Sequence, residues 1–303
     1  MGTPEFAVPS LKALIESEYE VIAVVAQPDK PKGRGRKLAP PPTKVLAEEY
    51  NILVLQPERI KTEEFLEKLR ELNPDLICVT AYGKIIPKSI LELPEYGCIN
   101  VHPSLLPKYR GAAPINWTIV RGEKVTAVTI MQMDEGMDSG DILLIREVPI
   151  SDEDDAGTMF EKLSHIGGDM LVETIGLLAE GKLNPVKQDE SLVTYAPMLK
   201  KSDGEINWEK SALEIWNLIR GLNPWPGTFT KLGNKTLKIF KTKIVEGQGK
   251  PGEVVLSSKN DLHIATGDGV LEILEVQIEG GKRLDIKAFI TGHQIEKGTI
   301  LGS

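Results

Sequence analysis

Cysteine is nearly absent from this chain of 303 residues: Cys78 and Cys98 are the two, each inside an apolar run (LICVTA and GCIN). They lack the close spacing of a zinc or redox pair and read as buried, reduced thiols. Long apolar runs are missing as well. Nothing approaches the stretch of about 18 apolar residues that a membrane span needs, and the opening MGTPEFAVPS has no basic segment leading into an apolar one. Neither a membrane anchor nor an export signal is expected, and the expected location is the cytoplasm. A surplus of positive charge is lacking too, since 36 Lys and Arg stand against 44 Asp and Glu, a formal net charge of −8. That excludes a surface coated in cations, so any role with nucleic acid must rest on local patches.

Two such patches exist. Between Gln27 and Lys44 lie six cations, Lys30, Lys32, Arg34, Arg36, Lys37 and Lys44, against the single acid Asp29. Between Lys231 and Lys243 come Lys231, Lys235, Lys238, Lys241 and Lys243 with no acid among them. A charge run taken alone is as a rule a solvated face. With two glycines and five cations in Lys30–Lys37, the first patch cannot bury a core of its own and is expected to be exposed, mobile and low in contacts.

The apolar content of 41% and charged content of 26% are those of a globular chain with a substantial core. The length suggests two domains. From Glu20 to Gly181, apolar runs of strand length (VIAVVA, ILVLQ, DLICVTA, GCINV, AVTIMQM, DILLIREVPI) alternate with helical stretches at 43–50, 62–72, 88–93, 113–121 and 156–180. This is the pattern of an α/β domain with a largely parallel sheet. Gly2-Thr3-Pro4 reads as a strand-to-helix turn with Thr3 as cap. Only Met1 precedes it, so either the strand position beside that turn is expected to be unfilled or poorly supported, or the true start lies upstream of Met1. The polar, turn-rich residues 182–200 read as a linker between a first domain, 1–181, and a second, 201–303. In the second, a helix over 211–222 leads into short strands separated by glycines, the spacing of a small β-barrel of the oligonucleotide-binding type.

The chemistry concentrates in GCINVHPSLLPKYRGAAPINW, residues 97–117. Alternate residues of a strand share a face, so Asn100 and His102 point one way and Ile99 and Val101 the other. Pro103 ends the strand and leaves the pair at its carboxyl end, where open α/β sheets bind ligands. The plainer alternative is a polar strand end with a satisfied histidine. In MDEGMDSGD, the acids Asp134, Glu135, Asp138 and Asp141 do not have the spacing of a calcium loop and read as a turn rather than a metal site.

The strings NVHPSLLP, MDSGD and GTPEFA resemble the folate-dependent formyltransferase family. PKGRGRKLAPPP, AYGKIIP, RGAAPINW and NPWPGTF extend the resemblance over essentially the whole chain, toward the members whose acceptor is methionyl initiator tRNA. The resemblance implies a Rossmann-like formyltransferase domain followed by an OB-like barrel, with Asn100, His102 and Asp138 as the catalytic trio. It also implies 10-formyltetrahydrofolate as formyl donor, with no metal and no obligate protein partner. Attack of an amine on the formyl carbon needs donors for the developing oxyanion, which Asn100 and His102 supply, and a base for the amine proton, which Asp138 supplies through a water. Ser104, Leu105, Leu106 and Pro107 resemble the folate-binding turn, and Ile85 and Ile86 the apolar wall of the pterin, although both isoleucines also fit a simple core.

The basic insertion decides the acceptor. Family members acting on glycinamide ribonucleotide resemble the first domain alone, and those acting on amino sugars lack PKGRGRKLAPPP. Arg34, Arg36 and Lys37 are therefore expected to contact tRNA, with the Lys231–Lys243 face as a second, sequence-independent contact. Two other readings stand beside this one: a formyltransferase acting on an amino-sugar nucleotide, and a non-catalytic tRNA-binding protein on a decayed enzyme. The intact trio speaks against the latter.

Overall fold

The apolar runs of the first half form short strands joined by helices. In the computed structural model, which describes residues 1–32 and 37–302 (Lys32 and Lys37 by their backbone alone), the strands are Ala23–Val25 (β1), Lys30–Lys32 (β2), Lys37–Ala39 (β3), Leu53–Leu55 (β4), Ile77–Val79 (β5), Cys98–His102 (β6), Arg110–Gly111 (β7), Val125–Gln132 (β8) and Ile142–Pro149 (β9). The helices are Val8–Ile15 (α1), Pro42–Glu49 (α2), Glu63–Leu72 (α3), Lys88–Leu91 (α4), Pro114–Val120 (α5) and Ala156–Ala179 (α6). Helix α3 shows how local sequence sets an element. Thr62 caps it by accepting from the Phe65 N–H, Phe65, Leu66 and Leu69 form its buried stripe, and Asn73 ends it in the left-handed conformation. That stripe packs with Ile77, Val79, Tyr82, Ile86, Ile90 and Cys98 into one core.

Strands β1 and β4 are parallel, as are β5 and β6, whereas β8 runs antiparallel to β6 and β9 antiparallel to β8. The parallel part of the sheet therefore ends at β6. Parallel neighbours need a crossover of a dozen or more residues, and residues 133–141 between β8 and β9 are too few for one.

Met1 and Gly2 lie between β1 and β5. The Gly2 N–H donates to Val25 O at 3.0 Å, the Thr80 N–H to Met1 O at 2.9 Å, and the Met1 ammonium to Cys78 O at 2.5 Å. A Cβ at Gly2 would lie 2.7 Å from the Ala7 Cβ and 2.9 Å from Thr80 O, so the turn is too tight for a side chain. Beside Met1 lies a cavity of about 700 Å³ lined by Val21, Ala23, Leu76, Cys78 and Leu171 among others. Thr3 departs from expectation. It does not cap the helix but donates to Tyr82 O and accepts from the Gln27 N–H, tying two strand ends together.

The chain divides into two compact units, and not at one point. The first comprises Met1–Gly111, Val125–Pro149 and Phe160–Tyr195, the second Ala112–Lys124, Ile150–Met159 and Ala196–Ser303. Residues 182–195, read from sequence as linker, thus lie in the first unit, and two segments read as first-domain lie in the second. The second unit contains Tyr195–Ala196 (β10, whose first residue lies in the first unit), Ala212–Leu222 (α7), Thr228–Leu232 (β11), Lys235–Val245 (β12), Val254–Ser257 (β13), Leu262–Ala265 (β14), Val270–Ile278 (β15), Leu284–Asp285 (β16) and Ile286–Gly292 (α8).

Helix α5 belongs to this unit because it packs on α7, where the Asn116 amide donates to Gly221 O at 2.8 Å. Ser211 and Glu214 form a capping box at the start of α7. The sheet order is β11-β12-β15-β14-β13, all antiparallel, with β16 on β15. The last residues close the circuit: the Val254 N–H donates to Thr299 O and the Gly302 N–H to Lys231 O, each at 2.9 Å, so β13 and β11 are joined through the C-terminal segment. Ile215, Ile219, Leu237, Ile239, Ile273 and Phe289 fill the core. Among the described residues no helix is long and apolar enough to cross a membrane.

Candidate active site

Strand β6 is the axis of the site. Cys98, Ile99 and Val101 are buried, and the pleat leaves Asn100 and His102 on one face, about 6.6 Å of strand apart. Asn100 sits opposite Val79 of β5 and Met131 of β8, half-buried, and its amide makes no hydrogen bond to the described residues. His102 lies at the carboxyl end of β6, opposite Thr129.

The chain then turns sharply. The Ser104 hydroxyl donates to Lys108 O at 2.8 Å, and the Thr129 hydroxyl donates to Ser104 O at 2.7 Å. These bonds bring Tyr109, at φ +63°, round so that its carbonyl meets His102 Nε2 at 3.1 Å.

That contact fixes the tautomer. A carbonyl only accepts, so His102 carries a proton on Nε2, and Nδ1 is the nitrogen left for chemistry. Nδ1 faces Asp138 Oδ2 at 3.7 Å, with the imidazole almost fully buried and the carboxylate 19% exposed. The pair is close enough for direct electrostatic interaction in a poorly solvated setting, and too close for a water in line between them. The two side chains thus face each other at the carboxyl end of β6, within the expectation of contact directly or through one water.

Asp138 occupies the left-handed region at φ +51°, a conformation that Asp tolerates better than most residues. Its Oδ2 accepts from the Gly111 N–H at 2.8 Å. The other acids of the segment do different work. Asp134 accepts from the Gly136 N–H and the Ser139 hydroxyl and so builds the turn, while Glu135 pairs with Lys88 at 3.2 Å.

The six residues assigned to folate are placed unequally. Ile86 is buried in the core with Tyr82 and Ile90, and Leu106 is also buried. The Ser104 hydroxyl is engaged by the turn. Leu105 and Pro107 are half-buried, and Ile85 is 79% exposed, so these three retain apolar surface that a flat ring system can cover.

Of the basic insertion, Lys30–Lys32 and Lys37–Ala39 pair as an antiparallel hairpin, with Lys30 donating to Gln27 Oε1 and Lys44 held by Asp29 at 3.2 Å. The ends of the insertion are thus paired strands rather than an open loop. Arg34 and Arg36 lie outside the described residues, as does the side chain of Lys37. On the second unit, Lys238, Lys241 and Lys243 are exposed on the outer side of β12, while Leu237, Ile239 and Thr242 face inward; a bulge at Lys241 keeps both sets in place.

The remaining candidates are structural. His165 is exposed on α6, and His293 stacks on Phe289 at 4.5 Å. Burial pushes the thiol pKa of Cys78 to about 11 and of Cys98 to about 12, so neither is a nucleophile at neutral pH.

Sequence reasoning missed Arg110 and Gln188. Arg110 is 3% exposed, and Gln188, placed by sequence in a surface linker, is 5% exposed and donates to Asp138 O. Both are polar residues in polar surroundings along the chain, and nothing local signals their burial.

A profile described as formyl transferase matches residues 1–175, and one described as formyl transferase, C-terminal domain, matches residues 198–294. The methionyl-tRNA formyltransferase of Caldanaerobacter subterraneus subsp. tengcongensis is 55% identical over 99% of this chain and 98% of its own. Among solved structures, methionyl-tRNA formyltransferase from Clostridium thermocellum is 26% identical, with a TM-score of 0.52 over 68% of this chain and 88% of that one. The sugar 3N-formyltransferase WlaRD has a TM-score of 0.67 over 91% of this chain and 95% of that one, at 22% identity, a likeness of fold.

Proposed function

Because the chain belongs to the formyl transferase family, we propose that it transfers the formyl group of 10-formyltetrahydrofolate to the amino group of methionyl initiator tRNA, in the cytoplasm where charged tRNA is found. The observation that carries this reading is the 55% identity to a methionyl-tRNA formyltransferase over 99% of the chain.

The side chains at the end of β6 suit the chemistry. The neutral amine attacks the formyl carbon, a C–N bond forms, and the carbonyl electrons move onto oxygen. Asn100 donates its amide N–H to that oxyanion, and His102 donates from Nδ1 in its imidazolium form, the Nε2 proton being engaged by Tyr109 O. Asp138 Oδ1 takes the proton that the amine acquires as surplus. Its Oδ2 stays with the Gly111 N–H and beside the imidazole. Collapse of the tetrahedral intermediate breaks the bond to N10 of the folate, and N10 takes up the proton. Leu105, Pro107 and Ile85 supply apolar surface for the pterin.

Arg34, Arg36 and Lys37 reach the acceptor end of the tRNA, and the exposed lysines of β12 contact its backbone. If Arg34 reads base edges, Arg34→Ala is expected to lower kcat/KM on initiator tRNA by about 1–3 kcal/mol and to narrow the gap to an elongator methionyl-tRNA. If it contacts phosphate, both tRNAs weaken equally and the salt dependence flattens. Formylation kinetics on the two tRNAs at two salt concentrations separate these cases. An Arg34→Ala enzyme identical to wild type on both would remove the assignment of the basic insertion to tRNA.

A further inference from the structure

We propose that Gln188, clamped by Arg110, is the positioning residue that holds Asp138 against His102; the inference rests on the role given to Asp138 above. The loop that carries Asp138 has little packing of its own, since Asp134, Glu135, Gly136 and Met137 are all exposed. Asp138 nevertheless holds a left-handed backbone at φ +51°, and its carboxylate must stay within a narrow range of His102.

The two amide hydrogens of Gln188 are used separately. Nε2 donates to Asp138 O and to Gly140 O, both at 2.8 Å, so it grips the loop on either side of Ser139. Gln188 Oε1 accepts from Arg110 Nε at 3.1 Å and Arg110 Nη2 at 2.8 Å. A flipped amide would set its NH2 against guanidinium donors and its oxygen against two carbonyls, so only one orientation is satisfied.

Both side chains are buried, so leaving either unpartnered would carry the desolvation penalty of a buried polar group, which keeps the clamp closed. Glu190 takes the other side of the guanidinium at 2.8 Å. The segment itself is anchored by a pair of 2.8 Å backbone hydrogen bonds between Val186 and Ile142.

Arg110 closes the arrangement through the chain. The next residue, Gly111, donates its N–H to Asp138 Oδ2. Gln188 thus fixes the Asp138 backbone, Gly111 fixes its carboxylate, and Arg110 couples the two. Residue 188 falls outside both matched regions, 1–175 and 198–294. Its role follows from the hydrogen bonds alone.

The test is a double-mutant cycle in formyl transfer to initiator methionyl-tRNA, using wild type, Asp138→Asn, Gln188→Met and the double variant. Gln188→Met keeps the length of the side chain and removes all of its hydrogen bonds. It is expected to lower kcat by about 10–100-fold with KM for tRNA and for folate within about threefold, the scale of effect for a misplacement of about 1 Å. In the Asp138→Asn background the same change is expected to add no further loss, because Gln188 acts through Asp138. A merely structural residue would lower Tm and multiply its effect in both backgrounds.

Wild-type kcat in Gln188→Met, or losses that multiply in the double variant, would overturn the inference while the reading of Asp138 stands. Wild-type turnover in Asp138→Asn would overturn that reading, and the inference with it. Should Gln188→Met not fold, Gln188→Glu, which retains an oxygen for Arg110 but when ionised offers no N–H to the two carbonyls, carries the same expectations.

Discussion

Replacing His102 with alanine is expected to lower kcat for formyl transfer by about 10²–10³-fold while leaving the affinity for initiator tRNA within about threefold of wild type. The imidazole is almost fully buried at the end of β6, and one of its nitrogens is already engaged by a backbone carbonyl. What it offers to the reaction is the Nδ1 N–H of its imidazolium form, beside Asp138 Oδ2, and the hydrogen bond to the formyl oxygen strengthens as that oxygen becomes an oxyanion. An interaction that strengthens in the transition state appears in kcat rather than in binding. Filter binding or anisotropy with charged tRNA, beside steady-state kinetics, separates the two quantities. Weaker tRNA binding at unchanged kcat would show that His102 serves the acceptor site rather than the chemistry.

Asp138→Asn is expected to have an effect of about 10²–10⁴ on kcat, the span typical of a general base. Asparagine is the most conservative change available. It fits the left-handed backbone at φ +51° and still accepts from the Gly111 N–H through its own oxygen. Folding and the geometry of the loop are therefore retained, while the negative charge beside Nδ1 and the acceptor for the amine proton are both lost. Asp138→Ala should cost stability as well, because alanine is strained where aspartate is tolerated. Thermal melts of the two variants test that difference. A kcat for Asp138→Asn within threefold of wild type would exclude Asp138 as the base.

The parts of this site that sequence discloses are those governed by local rules. The pleat of CINVH puts Asn100 beside His102, and Pro103 ends the strand, so the core of the site follows from five residues and a period of two. The acidic segment discloses less. Four carboxylates in MDEGMDSGD look alike on paper, and only folding sends Asp134 to a turn, Glu135 to Lys88 and Asp138 to His102.

Direction is equally hidden. An apolar run such as AVTIMQM reads the same whether its strand is parallel or antiparallel; the short connection from β8 accounts for the antiparallel β9, but nothing local marks β8 as antiparallel to β6. Lys30–Lys32 and Lys37–Ala39 pair as strands although their composition is that of a solvated loop. Helix α8, over IKAFITG, is only seven residues long and follows a run of strands, and its start is set by the Asp285 cap. Arg110 and Gln188 lie furthest from reach, since the partners of each, the other among them at a separation of 78 residues, are distant in the sequence.

The most direct test of the central claim is formyl transfer by the purified chain from 10-formyltetrahydrofolate to three acceptors in parallel: initiator methionyl-tRNA, elongator methionyl-tRNA and an amino-sugar nucleotide. The account predicts formylated initiator tRNA, with kcat/KM higher by about 10²-fold or more than on the elongator, and no product from the sugar nucleotide. Turnover of the amino-sugar nucleotide in the absence of tRNA, or tRNA binding without formylation of any acceptor, would contradict it.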